Sequence, residues 1–105
     1  MSAFRIAPTA GYERDLERLE NFLVDRELQS DFPDASLPPR FAAAVDRGVD
    51  ILSFAPHTCR RCEMAPPWRE LVVPFGQTGF VVLFEVREEQ VLLLAMRAQR
   101  EEDYR

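Results

Sequence analysis

Residues 68 to 104 read WRELVVPFGQTGFVVLFEVREEQVLLLAMRAQREEDY, and this last third of the chain decides the fold. Three apolar runs sit in a row. Trp68 to Pro74 is the first, FGQTG at Phe75 to Gly79 supplies a glycine-bearing turn, and Phe80 to Arg87 is the second. Glu88-Glu89 is short enough for a tight reversal into the third run, Gln90 to Arg97. Short apolar runs broken in this way have the pattern of a β-meander. Side chains alternate across a strand, so Phe80, Val82, Phe84 and Val86 share one face while Val81, Leu83, Glu85 and Arg87 share the other. The first set is wholly apolar and needs a second layer to cover it.

That layer comes from upstream. Ala3 to Ala7 is a short strand candidate ended by Pro8, which cannot donate to a ladder. Thr9 then stands where a helix cap belongs. Tyr12, Leu16, Leu19, Phe22 and Leu23 recur at helical spacing, with Glu13, Arg14, Asp15, Glu17, Arg18 and Glu20 read as the solvated face. This predicts a helix from about Ala10 to Arg26. Ser30 to Pro39 holds three prolines and two aspartates without periodicity and reads as a loop. Pro39 suits the first residue of a second helix, along which Phe41, Val45, Val49 and Leu52 repeat until Pro56. Gly48 weakens that helix by roughly 1 kcal/mol relative to alanine, which points to close packing as its purpose. Pro56 to Pro67 reads as a proline-flanked loop.

The expected fold is therefore α+β, in the order β-α-α-β-β-β. Two helices pack on one face of a small, mostly antiparallel sheet, and the opposite face is half open. At 105 residues the chain is expected to form a single domain, residues 1–105. Hydrophobic residues make up 47% and charged residues 30%, as in ordinary globular proteins, and no apolar run approaches the roughly 20 residues of a membrane helix. The N-terminus lacks the pattern of a secretory signal, so a cytoplasmic protein without membrane contact is expected.

Charge narrows the chemistry. The chain carries 13 basic and 18 acidic residues, net -5, and contains no lysine. A net-acidic domain can hold phosphate only through a local patch, for which Arg60, Arg61, Arg69, Arg97, Arg100 and Arg105 are available. Cys59 and Cys62 stand at C-x-x-C spacing beside His57, but structural zinc takes four ligands and no second Cys or His pair exists. No metal and no cofactor are expected. With a single imidazole confined to the same loop, a nucleophile–base–orienter arrangement lacks its parts. Arg69, Arg97, Arg100 and Tyr104 remain, expected to border one groove at the end of the sheet. Such a cluster can hold phosphate or carboxylate and stabilise developing charge. A tyrosine there relays a proton only if positive charge lowers its pKa from about 10. The alternative is that Glu70, Glu101, Glu102 and Asp103 neutralise these arginines in ion pairs.

The element order, APTAGYERDLERL after the opening strand, the FAPHTCRR loop, WRELVVPFGQTGFVVLFEV and the tail VLLLAMRAQREEDY together resemble the RelE/ParE superfamily of toxins over nearly the full length. The resemblance implies a toxin neutralised by a cognate antitoxin in a hetero-oligomer. It also implies one of two targets: DNA gyrase, bound by ParE-like members without chemistry, or the ribosome and its mRNA, cut by RelE-like ribonucleases. The ribonuclease reading would use Arg69, Arg100 and Tyr104 as catalytic residues. The gyrase reading would use Arg97, Arg100 and Tyr104 as the contact region. The lysines expected of the nuclease are missing, and Ala98 stands after Arg97 where many relatives carry His, so the resemblance implies the gyrase reading first. A third reading is an antitoxin-binding module without toxicity. An antitoxin helix or strand is expected to cover Tyr12, Leu16 and Phe22.

Overall fold

The computed structural model describes residues 3–63, 65, 67–76, 79–101 and 104. In chain order the elements are β1 (Arg5–Pro8), α1 (Ala10–Leu28), α2 (Leu37–Leu52), a single 3-10 turn (Pro56–Thr58), β2 (Arg60–Arg61), β3 (Arg69–Val73), β4 (Phe80–Arg87) and β5 (Gln90–Ala98). The strands form one sheet in the order β1-β5-β4-β3-β2, with β1 parallel to β5 and every other pair antiparallel. Both helices lie on one face, α1 against β5 and α2 against β3. The expected α+β architecture is present. Within the stretch read as a loop, the sheet gains β2, whose two residues pair with Arg69 and Glu70.

Each helix begins where its sequence allows. Thr9 caps α1, its hydroxyl accepting from the Tyr12 amide at 3.3 Å and donating to the Leu93 carbonyl at 2.8 Å. The second helix starts two residues before Pro39, at Leu37, so its prolines fall in the first turn where a missing N–H costs nothing. Asp34 organises the approach: its carboxylate accepts from the Ser36 amide (2.9 Å) and hydroxyl (2.6 Å) and from Arg40 (2.8 Å). Gly48 lets α2 settle onto β3, because a Cβ there would lie 3.1 Å from Val73 Cγ2 and 3.3 Å from Leu71 Cδ2.

Phe80, Val82 and Phe84 of β4 face the helices, as their alternation requires, and are fully or almost fully buried. Phe41 of α2 meets Phe80 edge-on at 4.7 Å between ring centroids and Phe75 at 5.8 Å. The hairpin between β4 and β5 turns at Glu88, whose φ of 53° is the left-handed value such tight turns demand. The turn between β3 and β4 lies partly outside the described residues, at Gln77 and Thr78.

The third strand is less regular than its neighbours. In β5, Leu93 pairs with Phe84 and Ala95 with Leu83, which leaves Leu94 as an extra residue and creates a bulge. Its parity therefore reverses, so that Val91, Leu93 and Met96 all point into the core while Arg97 points to the helix-free face. Beyond Leu93 the edge of β5 has lost β1, which ends at Pro8. There Asp15 takes the place of a strand: its Oδ2 accepts the Met96 amide at 2.9 Å. Glu101 Oε1 accepts the Ala98 amide in the same way at 2.9 Å, and Arg18 stands 3.9 Å from Asp15 and 3.6 Å from Glu101.

Asp15 thus belongs to the buried stripe of α1, together with Tyr12, Leu19 and Leu23, and not to its solvated face. Removing its carboxylate leaves a buried amide without an acceptor, at a cost of about 1–3 kcal/mol. Asp15→Ala is expected to lower the melting temperature by roughly 4–8 °C per kcal/mol lost, and Asp15→Asn, which keeps an acceptor oxygen, by clearly less. Thermal unfolding followed by circular dichroism measures both.

Candidate functional site on the helix-free sheet face

Apart from the bulge at Leu94, counting by two from the core positions assigns the residues of the sheet to a face. Leu71 and Val73 of β3 are buried under α2, so Glu70 and Val72 lie on the other side. Glu70 pairs in register with Arg60 of β2 and with Leu83 of β4, and Val81 pairs with Arg97 of β5. On this face lies a groove of about 560 Å³, lined by Arg60, Cys62, Trp68, Glu70, Leu83, Arg97 and Tyr104 among others. The loop between β2 and β3 forms one wall, closed by the Cys62 amide donating to the Trp68 carbonyl at 2.8 Å. The indole N–H of Trp68 donates to Glu85 at 2.9 Å, and Glu85 also pairs with Arg87.

Glu70 is the centre of this site. Its side chain is 12% exposed, its Oε2 accepts the Tyr104 hydroxyl at 2.6 Å, and its Oε1 accepts from Arg60 Nε at 3.1 Å. Arg97 Nη2 approaches the same Oε2 at 3.7 Å, and the guanidinium carbon lies 5.1 Å from the centre of the Tyr104 ring. Arg97 Nη1 in turn donates to the carbonyls of Glu101 (2.7 Å), Ala98 (3.3 Å) and Gln99 (3.4 Å). Arg97 and Tyr104 therefore meet, as the sequence suggests, and the alternative reading, ion pairing of Arg97 by Glu70, holds as well.

Two other candidates lie elsewhere. Arg69 shares the face of Leu71 and Val73, and its Nη1 donates to the carbonyls of Cys59 (2.8 Å) and His57 (3.3 Å), fastening the 3-10 turn to β3. It does not reach the groove. Arg100 lies beyond the end of β5 and lines a separate depression with Leu23, Glu27, Leu37 and Phe80, on the helix side of the sheet. Arg105 falls outside the described residues, as do Glu102 and Asp103. The expectation that Arg69, Arg97, Arg100 and Tyr104 border one groove is corrected accordingly: Arg97 and Tyr104 do, Arg69 and Arg100 do not. Strand parity was the signal that separates Arg69 from Glu70.

The remaining sequence candidates also divide. Cys59 packs against the core whereas Cys62 lines the groove, so β2 separates the two thiols. Burial pushes the Cys59 thiol up, away from the thiolate form. His57 is exposed and meets Phe4 edge-on at 5.9 Å. Among the described residues no group of three or more His, Cys, Asp or Glu is arranged to hold a metal ion, and no helix is long and apolar enough to cross a membrane. Of the three residues expected to meet an antitoxin, Tyr12 is a core residue at 4% exposure and Leu16 packs half-buried against that core. Phe22 alone stays at the surface, 60% exposed.

The electrostatics of Tyr104 are opposite to those of a proton acceptor. Burial raises its pKa first, and the hydrogen bond to Glu70 and the charge of that carboxylate raise it further, against a smaller lowering by Arg97. Tyr12, raised by burial and then by the Asp46 carboxylate, is pushed up to about 12. These are the only two tyrosines. A phenol whose folded pKa exceeds the unfolded value of about 10 contributes stability below that pH and loses it as pH rises through the folded pKa. Absorbance at 295 nm is therefore expected to show almost no phenolate in the folded protein at pH 10.5. In denaturant both rings should ionise near pH 10, and alkaline unfolding should follow above that value.

No protein-family model matches the chain, and no curated protein is significantly similar to it.

Proposed function

We propose that this chain is the toxin of a type II toxin–antitoxin pair of the RelE/ParE kind, and that it acts by binding DNA gyrase and not by cutting RNA. The α+β element order and the arginine–tyrosine tail support the superfamily reading. One observation carries the choice of target: Arg69, Arg100 and Tyr104, the three groups a nuclease would bring to one phosphate, lie at three separate places. A nuclease also needs a group able to take the proton of the attacking hydroxyl. Tyr104 instead keeps its own proton and gives it in a hydrogen bond to Glu70. What remains assembled is a contact surface, Arg97 under Tyr104 beside the Trp68 wall, composed of the residue types that dominate protein–protein hot spots. Arg100, on the helix side, is then at most a peripheral contact. The cognate antitoxin is the second partner, with Phe22 as its exposed apolar anchor. Both partners place the protein in the cytoplasm.

Expression in a bacterium without the antitoxin is expected to arrest growth with an SOS response, while purified protein inhibits gyrase supercoiling and leaves messages intact. Truncating a central arginine hot spot costs about 2 kcal/mol or more, so Arg97→Ala should weaken inhibition roughly 30-fold. Early translation arrest with cleaved messages would instead make the chain a ribonuclease. Normal growth on full expression would leave only an antitoxin-binding module.

A further inference from the structure

The groove on the helix-free face already has an occupant, the chain's own Tyr104. Both oxygens of Glu70 are engaged, one by Arg60 and the other by Tyr104 and Arg97. Arg97 has spent Nη1 on three carbonyls of the tail and its flat face on the Tyr104 ring. The cation and the aromatic donor that a partner would engage are thus turned inward onto this chain's own carboxylate and carbonyls. The arrangement is not fully satisfied, since Arg97 Nε is buried without a hydrogen-bond partner among the described residues. It also covers apolar surface. Val81 and Leu83 have no helix above them, yet they are 0% and 4% exposed, and Leu83 lines the groove together with Trp68 and Tyr104.

We propose that the contact of Tyr104 and Arg97 with Glu70 is an autoinhibitory clasp, which a protein partner presenting acidic groups must open to reach the Arg97 side chain and the apolar strip of Val81 and Leu83. The inference rests on the reading of Arg97 and Tyr104 as target-contact residues. The carboxylate of Glu70 is an internal copy of the ligand: it supplies the charge that the partner's Asp or Glu would supply. Binding through a state that is rarely open is weakened by the fraction of molecules that are open. Hydrogen bonds to a charged group are strong enough to set that fraction at roughly a tenth or below.

Hydrogen exchange on the free protein tests the clasp without any partner. The Gln99 amide, bonded to the Gly79 carbonyl at 2.8 Å, and the Glu101 amide, bonded to the Ala98 carbonyl at 3.0 Å, report on the root of the tail. Both should exchange roughly tenfold faster in Glu70→Gln and in Tyr104→Phe, with β4 protection and circular dichroism unchanged. Unchanged exchange in both variants would overturn the clasp. Purified gyrase is then titrated against wild type and Glu70→Gln, with Trp68 emission as the signal. A dissociation constant about tenfold lower for Glu70→Gln supports autoinhibition; an equal or higher one overturns it. If the tail loosens in the variants but gyrase binds neither form, the clasp stands and the gyrase reading falls.

Discussion

The bulge at Leu94, and the carboxylate of Asp15 that stabilises it, set the geometry on which everything else in this protein rests. A strand presents alternate side chains to opposite faces, and a shift of one residue exchanges the faces completely. Were Leu94 paired in a regular ladder, the positions facing the helices would continue to Ala95 and Arg97. A guanidinium would then enter the core, and Met96 would face outward. Because Leu94 bulges out of the pairing, the parity reverses, so that Met96 completes the core at 0% exposure and Arg97 reaches Glu70 on the other side. The first turns of α1 follow this irregularity closely. Thr9 bonds the Leu93 carbonyl, Gly11 leaves room where a Cβ would sit 3.2 Å from the Leu94 carbonyl, and Asp15 accepts the Met96 amide. One helix end thus reads the bulge residue by residue.

This dependence explains which parts of the structure are visible in the sequence. The strand β4 is legible because its alternation is unbroken from Phe80 to Val86, and both of its ends carry turn residues. The helices are legible because the apolar stripe of α2 and most of that of α1 keep helical spacing. By contrast, VLLLAM in β5 gives no phase to read: it is apolar throughout, and the bulge in the middle shifts which positions face the core. Asp15 carries a charge, and charge on a helix usually marks the solvated face. Here it marks the buried one, since a strand edge that has lost its neighbour needs an acceptor more than it needs another methyl group. The strand β2 is two residues long, below any periodicity.

The candidate site was half legible for the same reasons. The proximity of Arg97 and Tyr104 follows from their place at the end of the last strand. The position of Arg69 required only that it be counted in phase with Leu71 and Val73, which places it with the core residues and puts Glu70 in the groove. Arg100 lies beyond the strand, where no repeat constrains direction, and its place on the helix side follows from how the chain leaves β5. Glu70 is the residue whose importance the sequence conceals. An isolated glutamate among arginines reads as a surface counter-ion, worth little in water. With its side chain 12% exposed and its oxygens shared between Tyr104, Arg97 and Arg60, it is the group that orders all three.

That sharing bears on what kind of activity the face can support. A catalytic cluster for phosphoryl chemistry holds cations whose donors point at an empty position, so that charge developing there meets preorganised partners. In this groove the position is filled, and filled by a group of the sign the substrate would bring. Expelling Glu70 for a phosphodiester would trade one anion for another of similar demand, with no gain specific to a transition state. A protein partner trades differently. It can replace the carboxylate with its own, take over the cover of Val81 and Leu83, and bury the half-exposed Trp68 ring, a gain of roughly 25 cal/mol per Å² of newly covered apolar surface that the internal contact lacks. Under the proposed reading, in which a partner takes over a filled cation site and the apolar strip beside it, the strength of the Tyr104–Glu70 bond is the quantity that would set how readily this face is used.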